Sequence, residues 1–196
     1  MSESDPKQTL HRYLQRGRDA MVWKLEGLPE YDIRRPLVRT GTNLLGLVKH
    51  VAMVEAAYFG QVFDRPYDAP VQFDDVDEPN SDMWATAGET REQITDVYRQ
   101  VWAHSDATIR ELPLDATGRV PWWPQDRNPV TLHWILVHVA TETHRHAGHA
   151  DIVRELIDGT AGFREDSSNL PDVSPTWWVE YRGKLERVAE EAQARQ

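Results

Sequence analysis

Two patterns in this chain have the residue types and spacing to do chemistry. Glu142 and His146 stand four apart in a helical run, so their side chains meet on one helix face, and His149 follows one turn later. His50 stands in a second helical run, between Leu47 and Val54 on an otherwise apolar stripe. Imidazole nitrogen and carboxylate oxygen are both donors to divalent metals. A set of two His and one carboxylate leaves coordination positions open for water or substrate, which on zinc is a catalytic arrangement. The 196 residues include no Cys. No thiolate metal site or disulfide can form, and thiol chemistry would need a thiol from outside.

These donors stand out because they interrupt a core pattern. At about 100° per residue, Ile135, His138, Glu142, His146, His149, Val153 and Leu156 fall within roughly 140° of arc. That stripe begins and ends with aliphatic residues and is expected to face the core, with its middle made of three histidines and a glutamate. A carboxylate buried there must be paired, protonated or bound to a cation. Alone, His50 would read as a core histidine bonded to a backbone carbonyl, and Glu142 with His146 as a charge pair on a solvated face. Together they point to side chains converging from facing helices of a bundle on one metal. His133 and His144 point away and are expected at the surface.

Five helical segments must position these residues, with no internal repeat and no sustained strand alternation. The first runs from about Pro6 to Leu28, with Leu10, Leu14, Gly17, Met21, Leu25 and Leu28 on one face; Gly27 and Pro29 end it. The second runs from about Thr42 to Val62, capped by Thr42 or Asn43. The third begins at Thr86-Ala87-Gly88-Glu89, which reads as a capping box, and aligns Ile94, Tyr98, Val101, Ser105, Ile109 and Leu112 before Pro113. The fourth follows Pro129 and stops near Gly159. The fifth runs from about Pro175, with Trp178, Tyr181, Leu185 and Val188 as its apolar side. The connection over 63–85, rich in Pro and Asp, reads as a long crossover. Its acidic stretch Phe73–Glu78 lacks the Gly-containing spacing of a calcium loop and reads as solvated. Such unequal connections suit a four-helix bundle of non-uniform topology, and one domain is expected over 1–196.

A net charge of −10 and a pI near 5.2, with scattered basic residues, argue against nucleic acid. No apolar run approaches the roughly 18 residues of a membrane span. The polar, acidic start is unlike a signal peptide, so a cytoplasmic protein is expected.

The run Leu44–Ala52 containing His50, followed by Glu55, and the run Leu136–Asp151 containing Glu142 and His146, followed by Arg154-Glu155, resemble the second and fourth helices of the DinB-like superfamily. The resemblance extends from Gly27 to about Arg182. It is closest to an actinobacterial branch related to mycothiol-dependent maleylpyruvate isomerase and to bacillithiol- or mycothiol-dependent S-transferases. It implies an all-α, up-down-down-up four-helix bundle, here with an extra C-terminal helix, and a divalent metal on His50, Glu142 and His146. Zinc is the expected ion, with nickel, manganese and iron also suited. The isomerase has a further C-terminal domain that helps complete its active site, so its exact reaction is not implied here.

On such a site the expected partners are a small thiol such as mycothiol and an electrophilic substrate, because a coordinated thiol loses its proton at neutral pH. His149 is the candidate catalytic residue, as a base or by orienting His146. Trp84, Trp122 and Trp123 are candidates to line the mouth. A metal hydrolase or ferrous oxygenase on the same ligands, or a metal-binding stress protein without turnover, are the alternatives. The last helix is expected to cover the bundle or to make a homodimer contact.

Overall fold

A computed structural model describes residues 5–68 and 78–195 of the chain. Residues 73–77 of the acidic stretch lie outside the described residues. Six α-helices follow in order: α1 (Pro6–Trp23), α2 (Glu30–Arg34), α3 (Leu44–Phe59), α4 (Arg91–Glu111), α5 (Leu132–Asp158) and α6 (Pro175–Gln193). The described strands are β1 (Thr117–Gly118) and β2 (Val130–Thr131), an antiparallel pair that closes the loop between α4 and α5.

The directions of the long helices follow from which ends meet. Lys7 at the start of α1 donates to the carbonyls of Arg110 and Leu112 at the end of α4, while Arg91 at the start of α4 donates to those of Leu25 and Leu28. These two helices are antiparallel. Along α1 and α5 the contacts advance together, from His144 with Tyr13 to Arg154 with Lys24, so this pair is parallel. His50 meets Glu142 and Tyr58 meets His138, making α3 antiparallel to α5. The result is the up-down-down-up, all-α bundle expected from the sequence. Because α3 and α4 run the same way, residues 60–90 must return the chain across the bundle.

The core forms because each long helix carries an apolar stripe at helical spacing. Met21 of α1, Leu44, Leu47 and Val51 of α3, Ile94 of α4 and Val153 of α5 belong to one buried cluster, and Leu14 of α1, Phe59 of α3 and Ile135 and Val139 of α5 to a second. A charged network crosses this core. Arg18 forks onto both carboxylate oxygens of Glu55 at 2.7 and 3.1 Å, with both side chains wholly buried, and reaches Asp106 at 2.8 Å. Asp106 also bonds His11 at 2.7 Å. Arg18 and Glu55 have lost water, and the bidentate geometry between them compensates.

Several expectations need correction. The capping box of α4 is Thr90 with Gln93; Glu89 instead closes a turn onto the amide of Thr86 at 2.8 Å and pairs with Lys49. Both Thr-x-x-acid/amide patterns fit the motif, and the one nearer the apolar run starts the helix. Of the two caps expected for α3, Asn43 is the one that serves, through the amide of Gly46, which needs no correction. The short helix α2 was hidden in the connection after Pro29. His144 is half-buried, its ring bonded to the carbonyl of Tyr13. Finally, no residue of α6 is buried, so this helix does not cover the bundle.

Candidate metal centre

The middle of α5 faces the core through Val139, Thr143, Ala147 and Ala150, while His138, Glu142 and His146 run along the edge that turns toward α3. The buried face is therefore rotated from the expected one: Leu156 and His149 are exposed, and Leu136, Val139 and Ala140 take the interior. Apolar end residues do not fix the centre of a stripe when small residues such as Ala140 and Ala147 let helices approach. The donors thus sit at a seam with partial solvent access rather than in the bundle axis.

At that seam the structure brings His50, Glu142 and His146 together, each with one donor atom within 4.8 Å of the others. Glu142 Oε1 lies 2.9 Å from His146 Nε2 and 3.9 Å from His50 Nε2. The two imidazoles meet edge to face at 4.7 Å between ring centres. Burial, with His50 beside it, holds the His146 ring below the ordinary histidine pKa despite the opposing pull of Glu142. A neutral imidazole is the form that ligates metal. The donor chemistry therefore fits a divalent cation, and this group could hold one.

His50 is held from behind. Its Nδ1 lies 2.6 Å from Asp82 Oδ2. A carboxylate only accepts, so Nδ1 carries a hydrogen, and Nε2 is the ring nitrogen turned toward Glu142. Asp82 belongs to the short 3₁₀ turn Ser81–Met83 in the crossover, and no periodicity pointed to it. The one available hint was its place among turn-forming residues (Asn80-Ser81-Asp82) opposite the start of α3.

The crossover reaches His50 because α3 lets it come close. A Cβ on Gly46 would stand 1.8 Å from the carbonyl oxygen of Met83, a contact only glycine permits. Asn43 donates to the same carbonyl at 3.2 Å, and Lys49 forks onto both Glu89 oxygens at 2.8 and 2.9 Å with both side chains buried. Trp84, half-buried, follows directly.

His149 stands beside His146, their Nδ1 atoms 3.4 Å apart. Arg145 is 3.9 Å from Glu142 and largely exposed. On the other side, one turn before Glu142, His138 is enclosed by Tyr58, Trp123 and Trp134. Burial lowers the His138 pKa, against the pull of Glu142. Among the described residues no helix is long and apolar enough to cross a membrane.

Comparison with known proteins gives a sequence family and a likeness of fold. Residues 9–159 match a family model described as mycothiol-S-transferase. No curated protein matches the chain. A crystal structure described as the conserved protein of locus from Enterococcus faecalis superposes with a TM-score of 0.54 at 17% identity, covering 78% of this chain and 97% of that one. At that identity the likeness is one of fold.

Proposed function

The chain belongs to the mycothiol S-transferase family, and from that premise we propose that it is a metal-dependent thiol S-transferase or isomerase. In this reading His50, Glu142 and His146 hold a divalent metal, zinc by preference, and the substrates are a small thiol such as mycothiol and an electrophile. The observation that carries it is the convergence of two imidazoles and one carboxylate from α3 and α5, a set with too few protein ligands for a closed structural site. The absence of cysteine agrees, since the nucleophilic sulfur would belong to the cosubstrate.

When bound, the metal would lower the pKa of a coordinated thiol so that it is thiolate at neutral pH. The chain's own residues do the rest. Asp82 keeps the His50 proton on Nδ1 and the ring aimed at the centre. With His146 ligating through Nε2, its proton belongs on Nδ1, where His149 Nδ1 is placed to accept it. His149 is then a positioning residue.

The test is conjugation of an electrophile by zinc-loaded protein with mycothiol, with other small thiols, and with none. Turnover with mycothiol that stops on chelation and returns with zinc is expected. Two histidines and a carboxylate also suit ferrous iron, and metal analysis of anaerobically purified protein decides between the ions. If chelation lowers Tm and no thiol supports turnover, the metal is a staple of the bundle and the transferase reading fails.

A further inference from the structure

The seam between α3 and α5 is chemically lopsided about the three donors. Toward the start of α3 lie Asp82, Arg145 and His149, all polar and partly or fully exposed. Toward its end lie five rings from three segments: Tyr58 of α3, Trp122 and Trp123 of the loop before β2, and Trp134 and His138 of α5. Trp134 stacks on His138 with the ring planes 3° apart and centres 5.7 Å apart. Trp123 stands upright against both, at 4.7 Å from Trp134 and 5.3 Å from His138. Tyr58 meets His138 at 4.8 Å and Trp122 at 5.2 Å, each edge to face.

Two features separate this cluster from ordinary packing. Trp122 and Trp134 remain 47% and 45% exposed, although hydrophobic burial would favour covering both. The cluster is also continuous with the donor group, since His138 precedes Glu142 by one helical turn, about 6 Å of rise. An aromatic shelf of this kind binds flat π-systems by stacking and edge-to-face contact, whereas a sugar-like or charged group needs the polar partners found on the other side.

We infer that Trp122, Trp123, Trp134 and His138, backed by the buried Tyr58, form the binding shelf for the electrophile, and that the electrophile class is a flat aromatic or aryl-conjugated molecule. This rests on the transferase reading for its chemistry but not for its binding. The polar side of the donors then receives the body of the thiol, so that sulfur and aromatic carbon meet between them. For an aryl halide, the thiol proton leaves to solvent, the sulfur pair forms the S–C bond, and the halide departs with the C–X pair. Nothing is oxidised or reduced.

The experiment is calorimetric titration with 2,4-dinitroaniline, a flat ring with no leaving halide, against zinc-loaded native protein and the Trp122→Ala, Trp134→Ala, Trp178→Ala and His146→Ala variants. Far-UV circular dichroism verifies that each is folded. Stacking contributions of the usual size predict affinity weakened roughly two- to tenfold in Trp122→Ala and Trp134→Ala. Affinity is expected unchanged in Trp178→Ala, on the exposed α6, and retained in His146→Ala, which tests the shelf without the metal. No binding to native protein, or equal affinity in Trp134→Ala, overturns the shelf. Steady-state kinetics with 1-chloro-2,4-dinitrobenzene separate the two ideas. Turnover whose KM for the aryl halide ignores both Trp substitutions overturns the shelf and leaves the transferase; Trp-dependent binding without turnover for any thiol supports the shelf and removes the transferase.

Discussion

Asp82 and His50 are 32 residues apart in sequence and belong to different segments, yet their side chains share a 2.6 Å hydrogen bond. The bond fixes which ring nitrogen of His50 faces Glu142, so a residue of the crossover governs a donor of the helical site. Removing it is expected to lower zinc affinity about 10–100-fold in Asp82→Ala while helicity is unchanged, the usual cost of losing a partner behind a histidine ligand. Competition with a fluorescent zinc chelator measures this. Equal affinity in native protein and variant would mean that Asp82 only anchors its own turn.

Metal content tests the donors themselves. Elemental mass spectrometry of untagged protein is expected to give about one equivalent for the native chain and none for His50→Ala or His146→Ala, since both remove a nitrogen donor from the group of three. A native protein that stays empty after incubation with zinc, nickel, manganese and ferrous iron would sink the site.

Gly46 links packing to the same site. In Gly46→Ala the new methyl meets the backbone carbonyl of Met83, which cannot swing aside as a side chain would. Overpacking there is expected to destabilise by about 1–3 kcal/mol. By displacing the crossover it should also weaken zinc binding, although no donor has changed. Thermal unfolding with and without zinc reads both effects; a stable variant with native zinc affinity would refute the coupling.

The Arg18 network predicts an acid-sensitive part of stability. Burial pushes the Asp106 carboxyl up, but the His11 hydrogen bond and the Arg18 charge more than offset this and hold it below its ordinary value. A carboxylate with a depressed folded pKa stabilises fully above its unfolded pKa, near 4, and loses that contribution as pH falls through the folded value. Asp106→Asn is therefore expected to lower stability by about 1–2 kcal/mol at neutral pH, with the two proteins converging as the solution is acidified below pH 4. Urea unfolding across pH measures this, and a constant difference down to pH 2 would contradict it.

How much of this was legible in the sequence depended on whether one helix carried the information. His50, Glu142 and His146 were found because each breaks an apolar repeat of its own helix, and the five long helices follow from the same periodicity. Where two local patterns competed, as Thr86–Glu89 and Thr90–Gln93 did for the start of α4, spacing alone could not choose, because Glu89 is committed to Lys49 across the bundle. The rotation of α5 was missed for a related reason: small residues at Ala140 and Ala147 can face a neighbour as well as aliphatic ones can. Asp82 and the Trp122–Trp134 shelf depend on loops returning to the helices, and periodicity does not encode where a loop returns.

The burial of Lys24 and Lys49 has a bearing on amine reactivity. The chain has four lysines, Lys7, Lys24, Lys49 and Lys184, and no cysteine. Lys24 is fully enclosed, bonded to Asp151 and the carbonyl of Gly162, and burial lowers its pKa; Lys49 is buried against Glu89. Lys7 is occupied by two carbonyls, which leaves Lys184 on α6 as the outlying amine. Any protein that meets alkylating compounds is exposed to adduct formation on its own nucleophiles. This one offers no thiol and shields two of its lysine amines, so lysine adducts should appear at Lys184 on α6 well before they appear at Lys24 or Lys49.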